Sequence, residues 1–384
     1  MQVEQTHWTS EAGWRPRSPG GLRDADLVLL FGSFEGQDGD PVSEVRSAYP
    51  GAWLLGGSTA GEIQDVRVTD DSLALTAIRF EQTRVWGTDV AVSAATSFEA
   101  GQTLATQLAG HASDLVHVFV VSEGLDVNGS ALVAGLTEHL PSHVSVTGGL
   151  SGDGTAMERT RVLWGDQVRG GRAAAVGFYG THLKVGCGSL GGWDSFGPER
   201  RITRSEGNVL YELDGQSALA LYRRYLGDHA NDLPAAGLLF PLSLRSTEDH
   251  SGVVRTILGI DEDDQSLIFA GDVPEGSLAR LMKANFNRLL DGAAGAAETS
   301  AKALAGHDPA LAILISCVGR RMVLKQRIEE EVEAAREILG PGPALTGFYS
   351  YGEISPFTPE ARCELHNQTM TITTFAELRE PQSP

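Results

Sequence analysis

Three short turns in this sequence place a carboxylate directly after a glycine-rich bend. They are Gly56-Gly57-Ser58-Thr59-Ala60-Gly61-Glu62, Gly148-Gly149-Leu150-Ser151-Gly152-Asp153 and Gly347-Phe348-Tyr349-Ser350-Tyr351-Gly352-Glu353. Other polar side chains stand where strand-like runs end: Ser122-Glu123 after one run, Ser316 and then Arg320 after another. A set containing Glu62, Asp153, Glu353, Ser58, Thr59, Ser122, Glu123, Arg320, Tyr349, Tyr351 and Asn367 suits a ligand carrying both signs of charge. A guanidinium pairs bidentately with a carboxylate, a carboxylate accepts from an ammonium, and tyrosine rings wall an apolar side chain. Each acid has a plainer reading beside this one, because short polar residues commonly brace loops. Arg320 has one too, as the partner of one of these same acids.

The elements that must position these turns read as a repeat. Apolar runs at 27–31, 116–121 and 311–315 each end at a polar residue. A helix-compatible stretch, a second short run, the turn and a further strand-like run follow each of them. The glycines supply the close backbone approach or positive φ of a sharp turn. Ile328, Val332, Ala335 and Leu339 recur at helical spacing, Gly340-Pro341 stops that helix, and the acidic run 329–331 reads as its solvated face. The middle third differs, with strand patterns at 202–213, 237–244, 253–258 and 266–269 and helices at 216–226 and 278–291. The expected class is α/β or α+β, with repeated strand–helix–strand units forming mixed sheets in two domains. Those domains would span 25–215 and 216–365, between a polar segment at 1–24 and a last strand and tail at 366–384.

Composition and failed motifs narrow the function. Fifty acids against 30 bases give a net charge of −20, which repels phosphate backbones and anionic lipid and makes nucleic acid and membrane poor partners. The three cysteines show no CxxC spacing and fit a reducing cytoplasm. Gly186-Cys187-Gly188-Ser189-Leu190-Gly191 matches the dinucleotide pattern, but the Gly192–Pro198 stretch that follows cannot open the helix a phosphate needs. Asp261-Glu262-Asp263-Asp264 lacks the glycine and glutamate of a calcium loop and reads as a hairpin turn. Pro141 interrupts any helix that would present His139 and His143 together to a metal. With no GxSxG, P-loop or HExxH signature, the weight falls on binding and away from catalysis.

Cys317-Val318-Gly319-Arg320, the turn ending at Glu353-Ile354, and His366-Asn367-Gln368-Thr369 resemble the C-terminal half of the FIST family. The turns at 56–63 and 148–153, with ITRSEGNVLYEL at 202–213, are similar to its N-terminal half. The resemblance covers roughly residues 25 to 365. It implies a sensory module that binds a small, amino-acid-like ligand and signals to a separate protein such as a histidine kinase or a cyclic-dinucleotide enzyme. It also implies an alternative, because some members look like haem proteins that sense nitric oxide; haem is therefore a possible cofactor, with His366 as the axial ligand to test. A third reading is an enzyme with an unrecognised carboxylate site.

Overall fold

The computed structural model describes residues 1–34, 40–233, 235–245, 252–357 and 361–378. The apolar runs are strands, and they are apolar on every residue because each is covered on both faces. In Leu27–Gly32, Leu27, Leu29 and Phe31 enter a central core, while Val28 and Leu30 pack outward under the Pro41–Ala48 helix. Leu115–Ser122 and Leu311–Cys317 divide their side chains in the same way.

Each of these first strands pairs in parallel with a second strand and antiparallel with a closing strand. The second strands are Trp53–Gly57, Ser145–Leu150 and Ala344–Ser350. The closing strands are Ser72–Arg79, Arg172–Tyr179 and Met370–Glu377. A leading strand lies on the far side of each closing strand: Gln2–Thr9, Arg84–Ala91 and Leu183–Leu190. Three sheets of matching order therefore surround one core, in which Phe31 of the first unit meets Phe348 of the third at 4.6 Å.

The sheets are completed by exchange. After its turn, the first unit sends Glu62–Gln64 to the edge of the third unit's second strand. The second unit sends Val162–Trp164 to the first, and the third sends Gly352–Pro356 to the second. Register fixes which residues correspond, since Gly56, Gly148 and Gly347 lie opposite Leu30, Val120 and Leu314 on the parallel neighbours. A Cβ at any of the three would overlap that neighbour's carbonyl oxygen, and Gly148 and Gly347 also hold φ of 154° and 157°.

The same register corrects one expectation. Glu62 and Glu353 are equivalent, lying opposite Phe348 and Gly149, each one residue past the marker glycine. The residue at that place in the second unit is Val162, opposite Gly57. Asp153 belongs instead to an inserted loop, 152–161, that the other two turns lack.

Three further departures have local causes. Residues 2–9, expected to be a polar tail, form a strand whose inward residues are Glu4, Thr6 and Trp8, so no apolar alternation announces it. The helix expected at 278–291 is a strand, Leu278–Lys283, followed by the helix Phe286–Ala303. The alanines and glycines of that helix let it lie directly on Leu183–Leu190. A Cβ at Gly186 or Gly188 would overlap the backbone of Ser300 or Ala296, which is why that strand carries a dinucleotide-like glycine pattern. The third unit also holds an insertion between its leading strand and this helix, an eight-stranded antiparallel sheet with its own core around Ile202, Leu219, Tyr222, Leu244 and Leu267. The division expected near 215 falls in a hairpin of that sheet, between Val209–Leu213 and Gln216–Ser217. Asp261 accepts from the amides of Asp263 and Asp264 and closes the hairpin expected there.

Replacing Gly347 by alanine is expected to cost about 3 kcal/mol or more, by overlap and unfavourable φ together. Gly342→Ala, at an open position, should stay within about 0.5 kcal/mol. Urea unfolding midpoints of the two variants check this, and equal midpoints would remove the close approach as a requirement of the fold.

Candidate functional site

A polar cavity of about 330 Å³ opens at the carboxyl ends of the first unit's parallel strands. Three pieces of the first unit line it: Gly32-Ser33-Phe34 after the first strand, Ser58, Thr59 and Glu62 from the turn, and Asp70-Asp71 before the closing strand. The fourth wall is the second unit's inserted loop, through Asp153, Gly154, Ala156, Glu158, Arg159 and Arg161. Strand ends in α/β folds gather ligands because loops there expose amides and short side chains. Of the side chains expected to bind, Ser58, Thr59, Glu62 and Asp153 meet here.

Glu62 is 2% exposed and accepts from Thr59 Oγ1 at 2.6 Å and Ser72 Oγ at 2.5 Å. Burial pushes its carboxyl up to about 7, against the pull of those two hydroxyls. Asp153 behaves in the opposite way. Burial raises it, but Tyr351 Oη and the amides of Arg159, Glu158 and Met157 outweigh burial and hold it below the usual range. Asp153 therefore shapes the loop, and Tyr351 supports it from below. Arg321 ties the wall together, donating to Asp70 and to the Ala60 carbonyl while its guanidinium lies 5.8 Å from the Tyr349 ring centroid.

The remaining expected residues lie elsewhere. Arg320 is fully buried and does not line the polar cavity. It donates to Glu331 Oε2 from Nε at 3.0 Å and Nη2 at 2.7 Å, and to the carbonyls of Leu289 and Gly191. Glu331 also receives Ser316 Oγ at 3.0 Å and Tyr349 Oη at 2.5 Å on its other oxygen. One member of the acidic run thus turns into the core, whereas Glu329 and Glu330 stay outside. The assignments of Arg320 to a ligand carboxylate and of Tyr349 to a ligand wall are corrected by this network, because both side chains are fully buried and the guanidinium is held by a buried carboxylate and two backbone carbonyls.

Glu353 is completely buried, with Ser350 Oγ at 2.7 Å on Oε1 and the amide and hydroxyl of Thr369 on Oε2. Burial pushes it up to about 8. The Thr369 amide can only donate, so a proton on this carboxyl belongs on Oε1, facing Ser350. Glu123 is a brace: burial raises it, yet the amides of Leu125, Gly171 and Asp126 and the Thr160 hydroxyl bring it below its ordinary value. Ser122 is buried beside it, and Asn367 is buried with Nδ2 toward the Tyr351 carbonyl.

His366 does not suit a haem. It is 2% exposed, donates Nε2–H to the Ser355 carbonyl at 2.8 Å, and does not line the polar cavity. Burial drives its imidazole down to about 4. Among the described residues no group of three or more His, Cys, Asp or Glu side chains could hold a metal ion.

The family model for the FIST N domain matches residues 26–216 and that for the FIST C domain residues 218–356. The chain belongs to the FIST family. FIST domains are sensory modules of signal transduction that bind small ligands and signal to other proteins. The FIST N match spans the first two units and stops inside the inserted sheet, so the family boundary is not a boundary between compact bodies. No curated protein matches the sequence. Among solved structures, a chorismatase is similar at 9% identity and a TM-score of 0.36, over 98% of each chain. A cyanuric acid hydrolase from A. caulinodans is similar at 8% identity and 0.38, over 99% of each chain. Likeness at that level fixes neither the fold nor the chemistry of this FIST protein. Among its described residues no helix is long and apolar enough to cross a membrane.

The residues that pattern reading missed here are Asp70, Asp71, Arg159 and Arg161. Asp70-Asp71 sits in a tight turn with Asp71 at φ 51°, and its counterparts are Gly170-Gly171 and Asn367-Gln368 at φ 65° for Gly171 and Gln368. Comparing the three units at that turn would have singled it out.

Arg320→Ala is expected to lower the stability of the unliganded protein by about 3–5 kcal/mol, because Glu331 is left buried and unpaired. A loss below about 1 kcal/mol in urea titration would contradict the bracing role. The raised carboxyls make a second expectation. Glu353 in the folded state holds its proton up to about 8, above its ordinary 4.5. Its stabilisation is therefore complete below pH 4.5 and is lost as pH rises through 8, with a slope of at most about 1.4 kcal/mol per pH unit for one proton. Glu353→Gln should flatten the fall in melting temperature between pH 5 and 8. An unchanged profile would mean that the carboxyl ionises normally.

Proposed function

We propose that this FIST protein senses a small zwitterionic ligand of the amino-acid class in the first unit's polar cavity and passes that state to a separate signalling protein without transforming the ligand. The observation that carries the reading is the lining itself: Arg159 and Arg161 stand on one wall, Asp71 and Glu62 on others, and the hydroxyls of Ser33, Ser58 and Thr59 lie between. Two arginines supply the carboxylate contact first sought at Arg320, and an ammonium finds Asp71, with Glu62 beside it as a carboxyl that can hold or give up a proton near neutrality. The cavity volume falls within the roughly 300–1,000 Å³ of small-ligand sites. Communication follows from the walls. The first unit and the second unit's loop both contact the ligand, so occupancy biases how two of the three units sit against each other.

The experiment is a thermal-shift screen of amino acids and related acids on the wild type and on Asp71→Asn. Asparagine tolerates the positive φ, so the variant removes charge without strain. A ligand at a hundredfold excess over its dissociation constant adds about 2.7 kcal/mol of stability. That increment should vanish in Asp71→Asn while the unliganded melting temperature is kept, and the ligand should be recovered unchanged. Retention of the full increment in the variant would move the site elsewhere, and conversion of the ligand would make the protein an enzyme.

A further inference from the structure

We infer that the ligand has an apolar tail as well as a charged head, and that the tail occupies a second cavity on the far side of the 153–161 loop. This rests on the reading of the polar cavity given above and extends it. The second cavity measures about 360 Å³ and lies where three parts of the molecule meet. Asp232, Leu233, Leu238, Ile257 and Leu258 come from the inserted segment, Val318 and Met322 from the helix Val318–Leu324, and Thr155, Ala156 and Met157 from the loop. Its lining is mostly apolar, with Asp232 and Thr155 its polar members, and Ala156 belongs to both cavities.

The loop lines both cavities. Thr155 and Ala156 are exposed, whereas the loop is held at Asp153, whose carboxylate accepts from the amides of Met157, Glu158 and Arg159. Ala156, with only a methyl side chain, therefore borders both the polar cavity and the mostly apolar one. An apolar concavity left to water is unfavourable, and Leu258 is 36% exposed at its rim. Two methionines, Met157 and Met322, line it, and methionine adapts its shape to a flexible chain. A head bound by Arg159, Arg161 and Asp71 would start its tail at Ala156. Occupied in this way, the ligand touches the first unit, the second unit's loop, the third unit's helix and the insertion together.

The test uses 2-amino acids with unbranched side chains: alanine, norvaline, 2-aminooctanoic acid and 2-aminodecanoic acid, titrated calorimetrically into the full chain. Affinity is expected to rise about fourfold for each methylene buried beyond norvaline. Leu258→Trp, which fills the second cavity from its partly exposed rim, should leave alanine and norvaline binding unchanged and abolish the gain with length. Equal affinity along the series overturns the tail site and leaves the head site standing. A gain that survives in folded Leu258→Trp places the tail elsewhere and also overturns the inference. Failure of every member to bind overturns the zwitterion site itself, and the tail site with it.

Discussion

The structure depends on backbone hydrogen bonds that each unit lends to another. A two-stranded parallel pair with one antiparallel neighbour has an open edge, and an open edge exposes amides and carbonyls that must find partners. Here the edge of every second strand is closed by a short strand from a different unit, passed from first to third, third to second and second to first. No sheet is complete by itself. The exchange also forces each chain segment to leave its own sheet through a tight turn beside the central core. That is why glycine recurs at the same register position in all three units and why polar side chains accumulate there. The site chemistry is a by-product of a topological requirement.

Where the chain turns out of the third sheet, the requirement is met with charge. Arg320 lies at the centre of a region that would otherwise hold three loose ends: the backbone after the leading strand at Gly191, the helix Phe286–Ala303 at Leu289, and the helix Ile328–Leu339 through Glu331. A buried ion pair adds little net stability over a well-packed apolar substitute, but breaking one is costly. Its value here is directional. Two carbonyls and one carboxylate are bound by a single planar group, and Tyr349 and Ser316 complete the carboxylate's second oxygen. The insertion is fastened to the same place, with Gln368 Nε2 donating to the Leu238 carbonyl at 2.9 Å and Trp193 Nε1 to the Gln368 carbonyl at 2.8 Å.

Much of the repeat was legible because strands covered on both faces are apolar throughout, and such runs stand out at 27–31, 116–121 and 311–315. The glycine turns were legible for a similar reason, since only glycine tolerates the close approach. The strand exchange was not legible, because strands of three residues such as Glu62–Gln64 carry no period. The leading strand Gln2–Thr9 hid its pattern by burying Glu4 and Thr6, and Glu4 spends its carboxylate on the amides of Gly21 and Leu22 and on Tyr49 Oη. Glu331 was readable in retrospect. It stands three residues after Ile328 and four before Ala335, on the apolar stripe, so its position argued for burial while its charge argued against it. Of the site, the half on the turn at 58–62 could be found from motif repetition. Of the half on loop 153–161 only Asp153 was reached, and Arg159 and Arg161 were not, because an insertion has no counterpart to compare with.

The three turns share one geometry and are closed in different ways, which bears on the proposed ligand site. In the third unit the turn residues are Asn367 and Gln368, both buried, with the insertion lying over them. In the second they are Gly170 and Gly171, which leave room for Glu123 to fold back and accept from Gly171, Thr160 and two further amides. Neither pair lines the polar cavity. In the first unit the corresponding pair is Asp70 and Asp71, and no element covers them. Asp70 is drawn to Arg321 across the unit boundary, and the resulting gap is walled by the second unit's longer loop. The open position is thus the one whose turn carries charge and whose lid comes from another unit. An occupant of the proposed site would contact surfaces that belong to different sheets of the exchange, in which each sheet holds the edge of the next.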